Sequence, residues 1–434
     1  MHISGWGNNF KKKSNIHYPK NISQIIHIIK KNNIKNFITR GEGRSYGDQA
    51  LNKDILSLKY IDKKVSLDER TGLLKCSSNI TIEKILPVII PKGWFLGVTP
   101  GSKYISIGGL IANDVHGKNH HKDGSFSNYI KDIKLIDQNG KIKICSENKN
   151  SSLFRSTCGG AGLTGVIIEA KIQLIKINSN YLDVKIFKKK NLHETINFFN
   201  KIENYKYSVG WVDTCSEKNF GRSIIYCADH SNDKKLDYKI KNSFGLPAFF
   251  VKFFMNNFFL KIFNWLYYIS SSDTRIIKKD INSFFYPLDR IKNWNKFYGK
   301  KGFTQIQFLI RNKKNYYNVS NKIFNFLRKK KIYSFLTTIK LYGKKNKNYL
   351  SFCEKGLSIT MDIPISNFTK EKYLDLEKLL FKNNVKLYLA KDSFMSSAHF
   401  KKTYKEFKIF KKKLNIFNSK LIFKSNLSER LKIT

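Results

Sequence analysis

The sequence predicts an α+β protein in two parts, on three observations. Helix-period and strand-period stretches alternate up to about residue 178, glycine-rich turns cluster in that same portion, and beyond it aromatic and strand-like runs take over. A chain of 434 residues, 41% hydrophobic and 14% aromatic, can bury a sizeable core without covalent staples. Its six cysteines (Cys76, Cys145, Cys158, Cys215, Cys227, Cys353) are scattered, with no C-x-x-C pair and no zinc spacing. A disulfide framework or structural metal therefore has no support, and a reducing compartment fits best.

In chain order, the isoleucine spacing of "NISQIIHIIKKNNI" predicts a helix, "FITRG" a short strand entering a glycine turn, and "TIEKILPVIIPKG" a helix stopped by Pro91 and Gly93. "IKDIKLIDQNGKIKIC" reads as two strands about an Asn139-Gly140 turn, and "TGVIIEAKIQLIKI" as a long β run. Past residue 178 strands are expected in "YKYSVGWVDT", "FTQIQFLI", "SFLTTIKLYG" and "GLSITMDIPI", where a second domain begins. No internal repeat is visible, and lysine-rich patches such as "GKKNKNY" near residue 345 read as solvated loops.

The formal charge of +48 would attract nucleic acid, anionic lipid or phosphorylated substrates. Lysine, asparagine, isoleucine and phenylalanine are abundant together and the lysines spread along the whole chain, so a compositional origin competes with a functional one. No helix-turn-helix, zinc finger or aromatic RNA-binding motif accompanies the charge, and nucleic acid is not an expected partner. The N-terminus "MHISGWGNNFKKKSN" lacks the apolar core of a signal peptide, and a cytoplasmic protein is expected. "FGLPAFFVKFFMNNFFLKIFNWLYYI", residues 244 to 269, is broken by Lys252, Asn256, Asn257, Lys261 and Asn264, so it is too interrupted to span a bilayer. It suits either a segment lying on a membrane surface or an aromatic-rich core helix or lid.

Three glycine loops carry the chemistry. "TRGEGRSYGDQA" follows a strand, and Gly41, Gly43 and Gly47 permit positive φ and close approach of the backbone to a ligand. Its G-x-G-x-x-x-G spacing misses the nicotinamide fingerprint by one residue, and no Lys-Ser/Thr closes it as a P-loop requires. "GVTPGSKYISIGGLIANDVHGKNHH" and "CGGAGLTGVI" add two more such loops, which together suit a long phosphate-bearing ligand. The cluster His116, Lys118, His120 and His121 raises a metal as an alternative; adjacent histidines without carboxylate-histidine spacing argue against one.

The order R-G-x-G-R-S-Y-G-D, then the "PGSKYISIGGLIANDVHGKNHH" run, then "GGAGLTG", resembles the vanillyl-alcohol-oxidase-type (PCMH) FAD-binding superfamily. Within it the chain is similar to the decaprenylphosphoryl-β-D-ribose oxidase family, the flavin half of the epimerase that makes the arabinose form. "SGWGN", "FFYPLDRIKNWNKFYGKKGFTQIQF", "YSFLTTIKLYG" and "LYLAKDS" extend that resemblance nearly end to end. It implies a two-domain flavoprotein: residues 1–178 bind FAD, 179–385 form a substrate domain on an antiparallel sheet, and 386–434 return to the FAD domain.

By the same matching, FAD would contact Arg40, Gly41, Gly43, Arg44 and Ser45, then Tyr46, Gly47, Asp48 and Gln49. From the second loop it would contact Gly101, Ser106, Ile107, Gly108 and Gly109, and the run Asn113, Asp114, Val115 and His116. Ile167 and Tyr388 complete the set. Many relatives attach FAD through a histidine in the first loop; Arg44 stands in that region here, so a noncovalent flavin is expected.

Oxidation of a secondary alcohol needs a hydride acceptor and a group that takes the hydroxyl proton. The resemblance offers Lys391 for the proton, with His116 as the alternative. It places Lys118, Lys340, Tyr286, Gln305, Gln307 and Thr360 around the substrate, with Lys118 and Lys340 either depressing the Lys391 pKa or holding the substrate phosphate. Thr360 stands where the family usually has a cysteine, and Ser358 where it has an asparagine.

The expected reaction is oxidation of the 2'-hydroxyl of a polyprenyl-phosphoryl ribose to the 2'-keto sugar. A separate short-chain NAD(P)-dependent reductase would finish the epimerisation, and peripheral contact with the inner face of the plasma membrane would follow from the lipid substrate. Two rivals stand beside it: an aldonolactone or other sugar-alcohol oxidase sharing the flavin domain, and a non-catalytic basic membrane- or nucleic-acid-binding protein.

Overall fold

A computed structural model describes the chain except for residues 32–33, 203, 217–219, 241–242 and 246–256. The first part holds three sheets, the smallest a pair of His2–Ser4 with Lys11–Lys13. A small parallel sheet has Asp54–Ser57 between Asn15–His17 and Ile38–Arg40. The helix Ile22–Lys31 covers it with Ile25 and Ile29, as the isoleucine spacing predicts. The third sheet runs Ile142–Cys145, Ile130–Ile136, Val166–Lys176, Leu73–Ser77 and Val65–Asp68, with Trp94–Leu96 pairing the far end of Val166–Lys176. Its hairpin closes at Asn139-Gly140, where Gly140 takes φ 70° and Asp137 Oδ1 accepts from the N–H groups of Asn139 and Lys141, both at 2.9 Å.

The helix Ile82–Ile89 buries Ile82, Ile85, Leu86 and Ile89 and passes into one 3-10 turn, Ile90–Lys92, which Gly93 ends at φ 76°. After Lys176 the chain leaves that sheet for an eight-stranded antiparallel one. Its order is Ile276–Asp280, Tyr181–Lys189, Ser223–His230, Tyr207–Val212, Thr337–Tyr342, Gly356–Pro364, Phe303–Ile310 and Lys386–Leu387. All four strands expected past residue 178 are members. Helices Tyr316–Lys329 and Lys370–Lys382 pack their apolar stripes on this sheet, opposite the face that meets the glycine loops.

The cores of the two parts are continuous. Leu182, Val184, Tyr207 and Ala228 of the large sheet join the cluster built on Leu74, Ile133 and Ile172, while Ile38 and Ile55 join the cluster under Ile306 and Phe308. From Lys386 the chain returns through helices Ser397–Thr403, Phe407–Phe417 and Asn426–Arg430, and Phe423 bridges to Phe37 beside the parallel sheet.

Two sequence expectations need correction or completion. "GKKNKNY" is only partly a solvated loop: Lys344 and Lys347 are exposed, but Asn348 is buried, Lys345 pairs with Glu406, and Asn346 and Asn348 reach inward to Asp114. Of residues 244 to 269, 246–256 lie outside the described residues, and the remainder ends in the helix Asn257–Ser270, whose apolar side chains face outward. Among the described residues no helix is long and apolar enough to cross a membrane.

Candidate functional site

Between the glycine loops and the near face of the large sheet lies a cavity of about 780 Å³, within the range of small-molecule and cofactor sites. One wall is the first loop, delivered by the strand Ile38–Arg40. Arg40, Gly41, Gly43, Arg44, Ser45, Tyr46 and Gln49 line it. Gly43 has φ 63°; at Gly41 the constraint is approach instead, since a Cβ would fall 2.2 Å from Ser106 Oγ. The main-chain N–H groups of Glu42, Gly43, Arg44 and Ser45 donate to no main-chain acceptor among the described residues, so this loop offers a run of amide donors to a ligand.

The second loop brings Gly101, Ser106, Gly108, Gly109, Asn113, Val115 and His116 to the cavity, and Ile167 and Tyr388 are also on its wall. Asn113 is fixed from three sides. Its Oδ1 accepts from Gln49 Nε2 at 2.6 Å, its Nδ2 donates to Gly109 O at 2.8 Å, and its carbonyl accepts from the Tyr388 hydroxyl at 3.1 Å. The Arg44 guanidinium carbon lies 3.9 Å from the centre of the Trp6 ring, which brings the "SGWGN" stretch to the site.

Opposite stand Gln305, Lys340, Thr360 and Lys391, together with Lys118. Strand pairing Gln305↔Asp362 and Lys340↔Ser358, with side chains alternating across the sheet, turns these groups to one face. Lys118 donates to the carbonyl of Phe284 and lies 4.2 Å over its ring. Burial, and then the neighbouring Lys340 and Lys279, hold its ammonium well below the usual lysine range. Lys340 is pushed down to about 8 by burial.

Lys391 is pushed down to about 7, chiefly by burial and then by Lys340, while the Asp362 carboxylate pulls the other way. Asp362 is itself raised by burial against the help of Gln305, Lys391 and Tyr298. It accepts from Gln305 Nε2 and, at 3.2 Å, from the Tyr298 hydroxyl. An amine that can stand neutral near pH 7 therefore faces the same space as Lys118, Lys279 and Lys340.

His116 is the weaker proton acceptor. The Tyr342 hydroxyl lies 2.9 Å from Nδ1 and 3.0 Å from Nε2, and Gln307 Nε2 lies 3.0 Å from Nε2, so both ring nitrogens already have protein partners. Burial, then Lys340 and Lys391, keep the ring neutral. His120 and His121 are used structurally: His120 Nδ1 accepts from the Gly343 N–H at 3.1 Å, and His121 Nε2 lies 2.8 Å from Tyr205 O.

Six residues expected at the site stand behind its wall. Asp48 chelates Arg430 with both oxygens at 2.9 Å, and Gly47 packs so closely that a Cβ would lie 1.9 Å from Asp392 O. Ile107 is a core side chain under the second loop. Asp114, at φ 41°, spends its carboxylate on Ser127 N–H (3.1 Å), Asn346 (2.6 Å), Asn348 (3.0 Å) and Ser351 (2.7 Å), which ties the second loop to the far domain. Tyr286 is buried, its hydroxyl 2.6 Å from Thr99 Oγ1, while its neighbours Phe285 and Pro287 line the cavity. Gln307 turns its amide to His116, Tyr342 and Ser358, and so supports the wall from behind.

Sequence reasoning missed Asp362 and Lys279, both on the wall. Asp362 follows Thr360 by two positions in one strand, so alternation could have found it. Lys279 sits in a charged run with no such signal.

Residues 15–146 match the family model described as an FAD binding domain. The chain is 29% identical over 411 residues to decaprenylphosphoryl-beta-D-ribose oxidase of Mycolicibacterium smegmatis, covering 91% of this chain and 89% of that protein. It is also 27% identical over 164 residues to cytokinin dehydrogenase 1 of Arabidopsis thaliana, covering 35% of this chain and 27% of that one. A match to delta(24)-sterol reductase of Homo sapiens is 24% identical over 111 residues, 26% of this chain and 22% of the reductase.

Proposed function

We propose that this chain, an FAD-dependent oxidoreductase with its FAD-binding domain at residues 15–146, oxidises the 2'-hydroxyl of a polyprenyl-phosphoryl ribose to the 2'-keto sugar, the first half of epimerisation to the arabinose form. The observation that carries the reading is the cavity itself, where the amide-rich glycine loop and a wall of Lys118, Lys279, Lys340 and Lys391 face one space. The similarity over nine-tenths of both chains to an oxidase of decaprenylphosphoryl ribose supports it.

The residues present fit the dinucleotide. Consecutive free amides at Glu42 to Ser45, with Gly43 in the left-handed region, suit a pyrophosphate. Gln49, Asn113 and Tyr388 form a connected polar wall beside them. When bound, FAD supplies the hydride acceptor. Lys391 takes the hydroxyl proton at Nζ, being held low enough to be neutral in part near pH 7. Lys340 and Lys118 hold the phosphate, and Gln305 and Thr360 meet the sugar. His116 stays neutral and packs the floor. A nicotinamide-dependent reductase would reduce the keto sugar from the other face, and the lipid tail implies work at a membrane surface.

Two results are expected from this arrangement. The flavin is expected to be held noncovalently, because Arg44 stands in the first loop where relatives carry the attachment histidine, and His116 on the cavity wall already meets Tyr342 and Gln307. Acid precipitation should release it wholly to the supernatant, and flavin left in the pellet would refute this. Lys340→Met removes one charge from the phosphate wall, so the half-saturating sugar concentration should rise roughly tenfold to a hundredfold; because Lys340 also holds the Lys391 amine down, the acid limb of flavin reduction should move to higher pH.

The decisive experiment is an anaerobic absorbance spectrum before and after addition of polyprenyl-phosphoryl ribose. Bleaching of the flavin band by the lipid-linked sugar supports the reaction. A band bleached only by soluble aldonolactones or sugar alcohols would replace it with the soluble-sugar oxidase, and no flavin band at all would remove the redox reading.

A further inference from the structure

The helix Asn257–Ser270 is inside out. Its inward face presents Asn264, whose Nδ2 donates to Asp213 Oδ1 at 2.8 Å, and Tyr267, whose hydroxyl lies 2.8 Å from that of Tyr226. Asp213 is in turn held by Arg222, with Oδ2 at 2.9 Å from Nε and 2.8 Å from Nη2. Leu260 is the buried apolar residue on this side. The outward stripe is apolar: Trp265, Leu266 and Ile269 are about half exposed and Ile262 over a third. A helix kept only for packing would place these residues against the core; among the described residues this stripe is left open to solvent.

We propose that this outward face seats in the surface of an anionic lipid bilayer. The rim has the complementary charge. Lys188 lies 4.4 Å over the Tyr268 ring, and Arg275 is exposed just beyond the helix. Of the carboxylates near Tyr268 among the described residues, Glu194 and Asp273, the latter accepts from the N–H groups of Lys188 and Thr274. A basic rim repels a second copy of a chain with formal charge +48 and attracts acidic headgroups, with Trp and Tyr at the level where aromatic residues are stabilised. Fourteen residues are too few to span, so the helix lies in the interface plane.

The surface is continuous with the site. Tyr267 lines the main cavity on one side and, on the other, a groove shared with Phe263, Leu266 and Ile269. On the proposed reaction, on which this inference rests, the helix holds the cavity against the layer in which the polyprenyl tail is dissolved.

The test is co-sedimentation of the flavin-loaded protein with vesicles of phosphatidylcholine plus phosphatidylglycerol, and with vesicles of phosphatidylcholine alone. Wild type should bind the anionic vesicles more tightly, and Trp265→Ser/Leu266→Ser/Ile269→Ser should weaken that binding by roughly tenfold or more. Flavin content, and flavin reduction by a water-soluble short-chain polyprenyl-phosphoryl ribose, should match wild type, because none of the three residues lines the main cavity. Equal vesicle binding by the two proteins overturns the inference, as does a vesicle-free dimer that the triple variant dissociates. If neither protein is reduced by the sugar but the variant still loses vesicle binding, the reaction fails and the membrane surface stands.

Discussion

Lys391→Ala is expected to keep its FAD and to lose flavin reduction by the lipid-linked sugar, with a stopped-flow rate roughly 10²- to 10⁴-fold below wild type. The size is that expected for loss of the general base proposed above, and the retention of flavin follows from the separate set of groups around the glycine loop. The pH profile gives the sign. Burial and then Lys340 depress the amine to about 7, so the neutral, proton-accepting form prevails above that value. The second-order rate of flavin reduction should therefore rise about tenfold per pH unit below 7 and level off above it, and this limb should vanish in the alanine variant. Asp362→Asn removes the carboxylate that favours the ammonium form and should move the limb to lower pH. A wild-type profile flat from acid to base, or an unchanged rate in Lys391→Ala, would take this lysine out of the reaction.

Arg430→Met should destabilise the whole fold by about 3 kcal/mol, read as a melting temperature several degrees lower. Arg430 reaches from the last helix into two buried carboxylates, Asp48 of the first glycine loop and Asp392 beside Lys391, each at 2.9 Å, and donates to Met395 O at 2.6 Å. Its removal strands both acids. The cost is the uncompensated charge more than the lost contact, so Asp48→Asn added to Arg430→Met should recover part of the loss. Melting unchanged in the single variant would mean that the C-terminal segment is held by its apolar contacts alone. The same triad aligns the Lys391 turn with the flavin loop, and the single variant should also lose FAD more readily on dilution.

Much of the architecture was legible in local patterns. The isoleucine spacing of Ile22–Lys31, the Asn139-Gly140 hairpin and the alternation in "FTQIQFLI" each report a period or a turn chemistry that neighbours in sequence settle among themselves. The glycine loops were legible for the same reason, since a residue without Cβ marks where something approaches the backbone, as Ser106 approaches Gly41. Harder to read was which polar residues of those loops face the ligand. Asp48 and Asp114 sit in the loops yet point away, toward Arg430 and toward Asn346, Asn348 and Ser351, partners more than two hundred residues distant.

From the sequence alone came the α+β layout, the three glycine loops and the set of lysines on the cavity wall, because these rest on local periodicity, local turn chemistry and residue identity. What needed the folded chain is that Lys391 feels both Lys340 and Asp362, that His116 is occupied on both nitrogens, and that the helix Asn257–Ser270 turns its apolar side outward. A pKa, a spent lone pair and an exposed face each depend on what the chain folds beside a residue, and the register of an eight-stranded sheet sets that between segments far apart in sequence.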